Sequence, residues 1–600
     1  MPQAFRNLGA FCDALRGEGE IVTVEAEVDP YLEAAEIHRR VIAAGGPALF
    51  FANPRGADFP LVTNLFGTAR RAELAFGARP LQFIRRLVEL AETLLPPTPA
   101  KLWGARDVGL DLLRIGVRRR GKGPITHRVT SSVALDRLPV LTTWPEDGGP
   151  FVTLPLVYTE DPGGKGHNLG MYRLQVHGPR TTGMHWQIGK GGGFHYHVAE
   201  EKGEALPATV FLGGPPALML SAIAPLPENV PELMLASLLA GNKLDLCEGP
   251  GPHALVAEAE FAFVGKVAPH ERRPEGPFGD HYGYYSLCHD YPVFQIHSMA
   301  SRSNAIYPAT VVGKPRQEDF YIGDLLQELL SPLFPLVMPG VRALWSYGET
   351  GYHSLTAAVV RQRYKREAMA SAFRILGEGQ LSLSKFLLVT DEVVDLRDFK
   401  ATLQHVLERT RSETDLFVFS NLAMDTLDYT GPRVNEGSKG VWLGVGEPVR
   451  ELPREFSAER LPPGVTRVEV FCPGCLVVGG QEAGADPGAA SLLADHPAFS
   501  GWPLVVLTDE PERAAASPMN FLWTTFTRFE PAGDIYAASS SVVRNHVAYT
   551  MPILIDARKK PGFPDELYCS PDVAETVSRR WREYFPSGIE MGDSDAGHLD

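Results

Sequence analysis

Apolar positions recur at intervals of three and four in FRNLGAFCDALRG and again in PLQFIRRLVELAETLL. Between them, EIVTVEA and PALFFAN carry the β-branched and aromatic runs of short strands. This alternation predicts an N-terminal α/β domain over residues 1–120, ending where PPTPAKLWG breaks the helical spacing and GKGPITHRV opens a different texture. Across 121–318 the pattern changes to short apolar runs between Gly/Pro turns: FVTLPLVYT, GMYRLQVHG, PATVFLG, EAEFAFVGKVA and PVFQIHSMA. That spacing predicts a split β-barrel carrying helical inserts, one of them the amphipathic NVPELMLASLLAG.

Over 319–600 helix and strand alternate again, in DLLQELLSPLFP, SLTAAVVRQ, REAMASAFRILG, KFLLVTDEV, DFKATLQHVLERT and DLFVFSN, which predicts a C-terminal α/β domain. The fold class expected is therefore mixed α/β. The stretch 445–550 fits the alternation less readily, no internal repeat is evident, and CPGC at 472–475 is its one motif. A lone C-x-x-C without a second ligand pair reads as structural thiols. Near the end, SPDVAETVSRRWREYF predicts a helix over 570–585, with Ser570 as N-cap, Pro571 in the first turn and Val573, Val577, Trp581 and Tyr584 on one face. That face needs a packing partner, and a second subunit is one candidate.

Composition narrows the function classes. The 600 residues allow about four domains. A formal net charge of −15 speaks against a nucleic-acid surface, which needs a concentrated positive field. Six cysteines are too few for a disulfide scaffold in so long a chain, and MPQAFRNLGAFCDALRG has no uninterrupted apolar core of a signal peptide. The most apolar stretch, 208–227, is cut by Gly213, Gly214, Pro215 and Pro216, so no spanning helix is expected. These features place the chain in a reducing cytoplasm.

Two strings carry the chemistry. PEGPFGDH, at 274–281, sets Glu275 and Asp280 on a loop too rich in glycine and proline to be regular, as paired groups for acid/base work would be. A solvated turn fits the same residues. In NLGMYRLQVHG, alternation puts Leu174 and Val176 on one strand face and Arg173, Gln175 and His177 on the other. A guanidinium there offers a planar fork for a carboxylate, although an exposed strand arginine fits as well.

Together these strings resemble the UbiD-like family of reversible decarboxylases, which use a prenylated flavin mononucleotide (prenylated FMN). The long form of that family, linked to bacterial quinone formation, is the better match, since MPILIDARKKPGFP at 551–564 resembles its ending. The resemblance implies a catalytic set of Arg173, Glu275 and Asp280. In it Arg173 holds the substrate acid, Asp280 donates the proton after carbon dioxide leaves, and Glu275 holds Arg173. It implies flavin contacts from Met171, Tyr172 and Arg173, then from His185, Trp186, Gln187, Lys190 and Gly191, with Lys439 reaching the phosphate. It implies a metal at Asn168 and Glu232, manganese or magnesium with potassium as a further candidate. The chain departs from the family at Gly189, where many relatives carry a metal-ligating histidine. His185, His195, Gln187 or water could replace that ligand. The HYH at 195–197 is expected on one strand face as a structural pair.

The function expected is decarboxylation of an aromatic acid, a prenylated hydroxybenzoate or hydroxynaphthoate in ubiquinone or menaquinone synthesis. The partners implied are that substrate, a flavin prenyltransferase supplying the cofactor, and further copies of the chain as dimer or hexamer. The prenylated tail would bring peripheral contact with the inner membrane. Two rivals stand beside this reading: a carboxylase or decarboxylase of unprenylated aryl or acrylic acids, and a non-catalytic flavin-binding scaffold in a quinone-biosynthesis complex.

Overall fold

The computed structural model describes residues 5–93, 98–104, 106–164, 166–187, 191–224, 231–314, 316–458 and 460–594. They form mixed α/β layers in two compact units. One runs to Leu329 and takes up the chain again at Glu566, and the other holds Leu330–Asp565.

In the first unit the amphipathic helix Leu8–Gly17 starts at Asn7, whose side chain accepts the Ala10 N–H at 2.9 Å. It buries Leu8, Phe11, Cys12 and Leu15. The strands Ile21–Val28, Ala48–Pro54 and Leu61–Thr63 form one sheet, joined by Tyr307–Pro308 returning from the far end of the unit. Next in the chain comes a nine-stranded sheet curled into a half-barrel. Its spine is the long antiparallel pair Phe261–Glu275 and His289–Ser301, in register at Glu275 opposite His289. Val264, Phe263, Val267, Phe294 and Ile296 face the core from this pair. Glu275 therefore sits at the mouth of the pair, where the chain leaves regular structure and turns back.

The helix Pro571–Tyr584 forms with Val577, Trp581 and Tyr584 buried, but it does not belong with the segment 319–600 in which the sequence grouped it. It packs on the helix Glu33–Ala43 of its own chain: Arg40 donates to Ser578 at 2.7 Å, and Tyr584 donates to Glu33 at 2.5 Å. Ser570 holds the N-cap position without a capping side-chain bond. A second correction concerns HYH, which lies on the helix Gly191–Glu201, so His195 and His197 point to different sides. His195 pairs with Thr159 at 2.9 Å, while His197 is exposed beside Glu201.

The second unit holds two five-stranded sheets of one topology. In the first, Val341–Ser346, Leu355–Val360, Phe386–Thr390, Glu436–Gly444 and Leu416–Ala423 are neighbours in that order. In the second the order is Arg467–Cys472, Cys475–Gly479, Leu504–Thr508, His546–Asp556 and Ile535–Val543. Each series pairs antiparallel, parallel, parallel and antiparallel. Local contacts repeat as well. Thr390-Asp391-Glu392 follows the third strand of one sheet and Thr508-Asp509-Glu510 that of the other. Glu392 pairs with Arg409 at 3.3 Å as Glu510 pairs with Arg528 at 3.1 Å. Asp415 accepts the Arg411 N–H at 2.8 Å, and Asp534 accepts the Glu530 N–H at 2.7 Å.

The stretch 445–550 is thus the greater part of a second copy of the preceding fold, and the sequence reading that no repeat exists is corrected. The copies pack on each other through Phe386, Phe399 and Trp442 of the first and Phe521, Phe526 and Ile553 of the second. Cys472 and Cys475, buried and unbonded, are opposite each other at the hairpin turn of the second copy.

Candidate active site

Arg173 does not lie within one continuous strand. The strand His167–Met171 ends before it and Leu174–Gly178 begins after it, so the backbone breaks at Tyr172 and Arg173 and aims the guanidinium at the acid loop. Nε donates to Glu275 Oε1 at 3.2 Å, Nη1 pairs closely with Asp280 Oδ2, and Nη2 donates to Ser286 Oγ at 3.3 Å. The face of the guanidinium lies 4.6 Å from the ring centre of Phe278, between the two acids in sequence. The loop is bent by Gly276 at φ +104° and pressed so close to Trp144 that a Cβ on Gly279 would fall 2.0 Å from its ring.

Electrostatics follow from enclosure. Burial opposes the charge of Arg173, but Asp280 and then Glu275 outweigh it and raise its proton affinity. Burial alone would push Asp280 up, yet Arg173 and then His281 hold it well below the carboxylate range. Glu275, also pushed up by burial, is held below its ordinary value by the hydrogen bond from His185 and the charge of Arg173. Burial and the neighbouring Arg173 lower the proton affinity of His185, against the opposing pull of Glu275, with Nδ1 at 2.7 Å from Glu275 Oε1. Gln187 Nε2 lies 3.4 Å from the other ring nitrogen of His185. The second oxygen of Glu275 is enclosed without a partner.

Several supports carry no motif. Gln175 donates to Gly148 O at 2.6 Å and accepts the Gly276 N–H at 2.9 Å. Asp147 accepts the Gly279 N–H at 2.8 Å and three further bonds from Thr143 and Trp144, while Ser286 Oγ takes the Phe278 N–H at 3.1 Å. The signal for Gln175, an amide on the arginine-bearing strand, was readable. Nothing in the spacing pointed to Asp147 or Ser286.

Near the end of the strand His167–Met171, Asn168 Nδ2 lies 3.3 Å from Tyr172 Oη, and the Leu169 N–H donates to Glu232 Oε2 at 3.1 Å. Glu232 opens the helix Glu232–Ala240, and burial raises its carboxyl. Asn168 and Glu232 thus share one neighbourhood with Tyr172, whose hydroxyl also takes the Gly192 N–H at 3.3 Å. Gly191 packs so tightly on Asn168 that a Cβ would meet its Oδ1 at 2.3 Å. Met171 ends the strand, half-buried, and Trp186 is buried with its Nε1 unpartnered. Gly189 and Lys190 lie outside the described residues. Lys439 belongs to the second unit, on Glu436–Gly444, and donates to Ser384 O at 2.8 Å. Burial draws its ammonium down to about 8, against the opposing pull of Asp428 and Asp425. Among the described residues, no group of three or more His, Cys, Asp or Glu is placed to hold a metal, and no helix is long and apolar enough to cross a membrane.

A half-barrel whose mouth sets one arginine between two buried acids defines the class. The chain belongs to the 3-octaprenyl-4-hydroxybenzoate carboxy-lyase (UbiD) family: residues 12–91 match its N-terminal domain, 117–315 its Rift-related domain and 320–444 its C-terminal domain. It is a carboxy-lyase of that family. A Chlamydia pneumoniae protein named as a subunit of 4-hydroxybenzoate decarboxylase is 50% identical over 573 residues, covering 95% of this chain and 97% of that one. Among solved structures, the closed form of vanillic acid decarboxylase from Sedimentibacter hydroxybenzoicus superimposes with a TM-score of 0.66 at 23% identity, over 77% of this chain and 97% of its own. An evolved dimeric form of the UbiD-class enzyme HmfF from Pelotomaculum thermopropionicum, in complex with prFMN, gives 0.60 at 22% identity, over 76% of this chain and 97% of its own.

Proposed function

We propose that the chain removes carbon dioxide from an aromatic carboxylic acid without net oxidation, using prenylated FMN. The observation that carries this reading is Arg173, buried and shared between Glu275 and Asp280. A scaffold has no need for such a set, because enclosing three charges costs folding energy unless they act together.

The donor set fits the cofactor. Trp186 Nε1 and Glu275 Oε2 are enclosed polar atoms without protein partners, and the helix Gly191–Glu201 opens with main-chain N–H groups beside Asn168. When bound, the modified flavin supplies an electron sink for the carbon that loses carbon dioxide. Asn168 and Glu232 would be the residues to hold a divalent metal, and their oxygen donors suit magnesium or manganese. Lys190 supplies further positive charge for the phosphate.

This chain's residues do the rest. Arg173 takes the substrate carboxylate on the fork it now shares with the acids. As the guanidinium turns to substrate, Asp280 loses counter-charge and its proton affinity rises, which lets a carboxylate held below its usual range receive and pass on a proton. Glu275, tied to His185, keeps Arg173 from following the substrate out. The family description and the chlamydial relative favour a hydroxybenzoate-type acid, and a prenylated hydroxybenzoate or hydroxynaphthoate of quinone biosynthesis is the finer reading.

The test is purification with and without co-expressed flavin prenyltransferase, followed by an absorbance spectrum and carbon dioxide release on a panel of aryl acids. Release only from the prenyltransferase preparation supports the reading. A fully flavin-loaded protein that releases nothing from any acid defeats it.

A further inference from the structure

Asp280 has a supply problem. Its side chain is buried, one oxygen is committed to Arg173, and its proton affinity at rest is low. An acid of this kind delivers one proton per turnover only if another group refills it. The other oxygen, Oδ1, is 2.5 Å from Nδ1 of His281 and also accepts the main-chain N–H of His281 at 2.7 Å. The His281 side chain is 30% exposed, against 8% for Asp280, so the imidazole touches the buried carboxylate and reaches toward water at once.

We propose that His281 is the proton relay that recharges Asp280 from solvent, a positioning and transfer role that rests on the decarboxylase reading above. The transfer balances simply. A hydronium ion or buffer acid protonates the solvent-side ring nitrogen as the N–H bond at Nδ1 breaks and an O–H bond forms at Asp280 Oδ1; the imidazole stays neutral, and proton exchange with solvent returns it to the Nδ1–H tautomer for the next turnover. Asp280 then gives the proton to the substrate carbon that has lost carbon dioxide and is a carboxylate again.

The surroundings are arranged for this. Asp319, in the first turn of the helix Glu318–Leu330, faces His281, and its Oδ1 is enclosed without a hydrogen-bond partner. Burial pushes the Asp319 carboxyl up to about 7, with His281 pulling the other way and Glu318 and Asp280 adding to the rise. Tyr282 stands edge-on to the imidazole at 5.1 Å between ring centres. Among the described residues the charged groups facing the relay include Asp280 and Asp319, with Glu318 beside Asp319 and, through Asp280, Arg173 and His185.

The test uses the full chain in two states. In flavin-free protein, proton NMR of the wild type should show a low-field resonance from the short Nδ1–H bond, lost in His281→Gln and in Asp280→Asn. In flavin-loaded protein, His281→Gln should keep its cofactor spectrum. It should exchange the product ring proton with deuterated buffer at least tenfold more slowly, and added imidazole should restore exchange in His281→Ala. Exchange within twofold of wild type in His281→Gln, or no low-field resonance in the wild type, would overturn the relay. If wild type neither releases carbon dioxide nor exchanges, the decarboxylase reading fails, and the NMR arm alone decides whether His281 feeds Asp280.

Discussion

Gln175 holds Gly276: its amide oxygen accepts the Gly276 N–H at 2.9 Å, two residues along the chain from the arginine that the neighbouring Glu275 grips. The strand and the acid loop are locked together by an amide that titrates at no pH. Gln175→Leu removes this tie while keeping apolar bulk. It should cost about 1–3 kcal/mol through the unpaired Gly276 N–H, and turnover should fall roughly 10²-fold as the acids lose registry with Arg173. Thermal unfolding and single-turnover decay, measured on the same preparation, check both effects, and unchanged turnover would show that the loop keeps its shape unaided.

Arg173→Ala should abolish decarboxylation and also destabilise the fold by about 3–5 kcal/mol, since it strands two buried carboxylates. Without the guanidinium both acids have raised folded-state proton affinities, so the variant should gain stability as pH falls, where these two acids leave the wild type flat. Unfolding midpoints between pH 5 and 8 read this sign directly. A variant with wild-type stability at every pH would mean that water already serves the acids.

Asp280→Asn should keep the flavin but lose product formation and ring-proton exchange, because an amide cannot deliver a proton. Its folded-state pKa is depressed, so the Asp280 carboxylate contributes stability fully above the unfolded carboxylate value near 4 and loses it as pH falls toward the folded value. The stability gap between wild type and Asp280→Asn should therefore be flat from pH 7 to 5 and shrink only below about 4. A gap that closes by pH 6 would assign the pairing with Arg173 to another acid.

Glu232→Gln should reduce retention of both the divalent metal and the flavin, since one charged oxygen ligand is lost beside Asn168 while the Leu169 N–H keeps an acceptor. Metal analysis together with the flavin-to-protein absorbance ratio measures the pair. Loss of flavin with metal retained, or full retention of both, would remove Glu232 from the ligand set.

Much of this was readable in advance. The period of apolar positions gave the helices Leu8–Gly17 and Pro571–Tyr584, and the Gly/Pro content of EGPFGD marked a shaped loop around two acids. Other features had no signal of their own. Histidine is a weak helix former and three glycines precede it, so HYH read as strand although it lies on a helix. Asp147 and Ser286 act on main-chain N–H groups, a partnership that leaves no spacing in the sequence. Terminal packing on Glu33–Ala43 depends on contacts across more than five hundred residues, which periodicity cannot see. The repeated fold escaped because its copies share strand order and an ion pair, and little else beyond Thr-Asp-Glu.

That repetition has a consequence for how this half of the molecule holds together. Register alignment sets Pro473, Pro503 and Pro552 of the second copy where the first has His353, Lys385 and Lys439, so these three polar side chains have no counterpart in the second copy. The second copy meets the first through aromatic packing and through Glu530, which accepts from Ser438 at 2.6 Å next to Lys439. Two separate chains making this contact would part on dilution, whereas here the segment 445–466 joins the copies and fixes the local concentration of one near the other whatever the amount of protein in solution. The support beneath Lys439 is therefore as firm in a dilute cell extract as in a crystal drop.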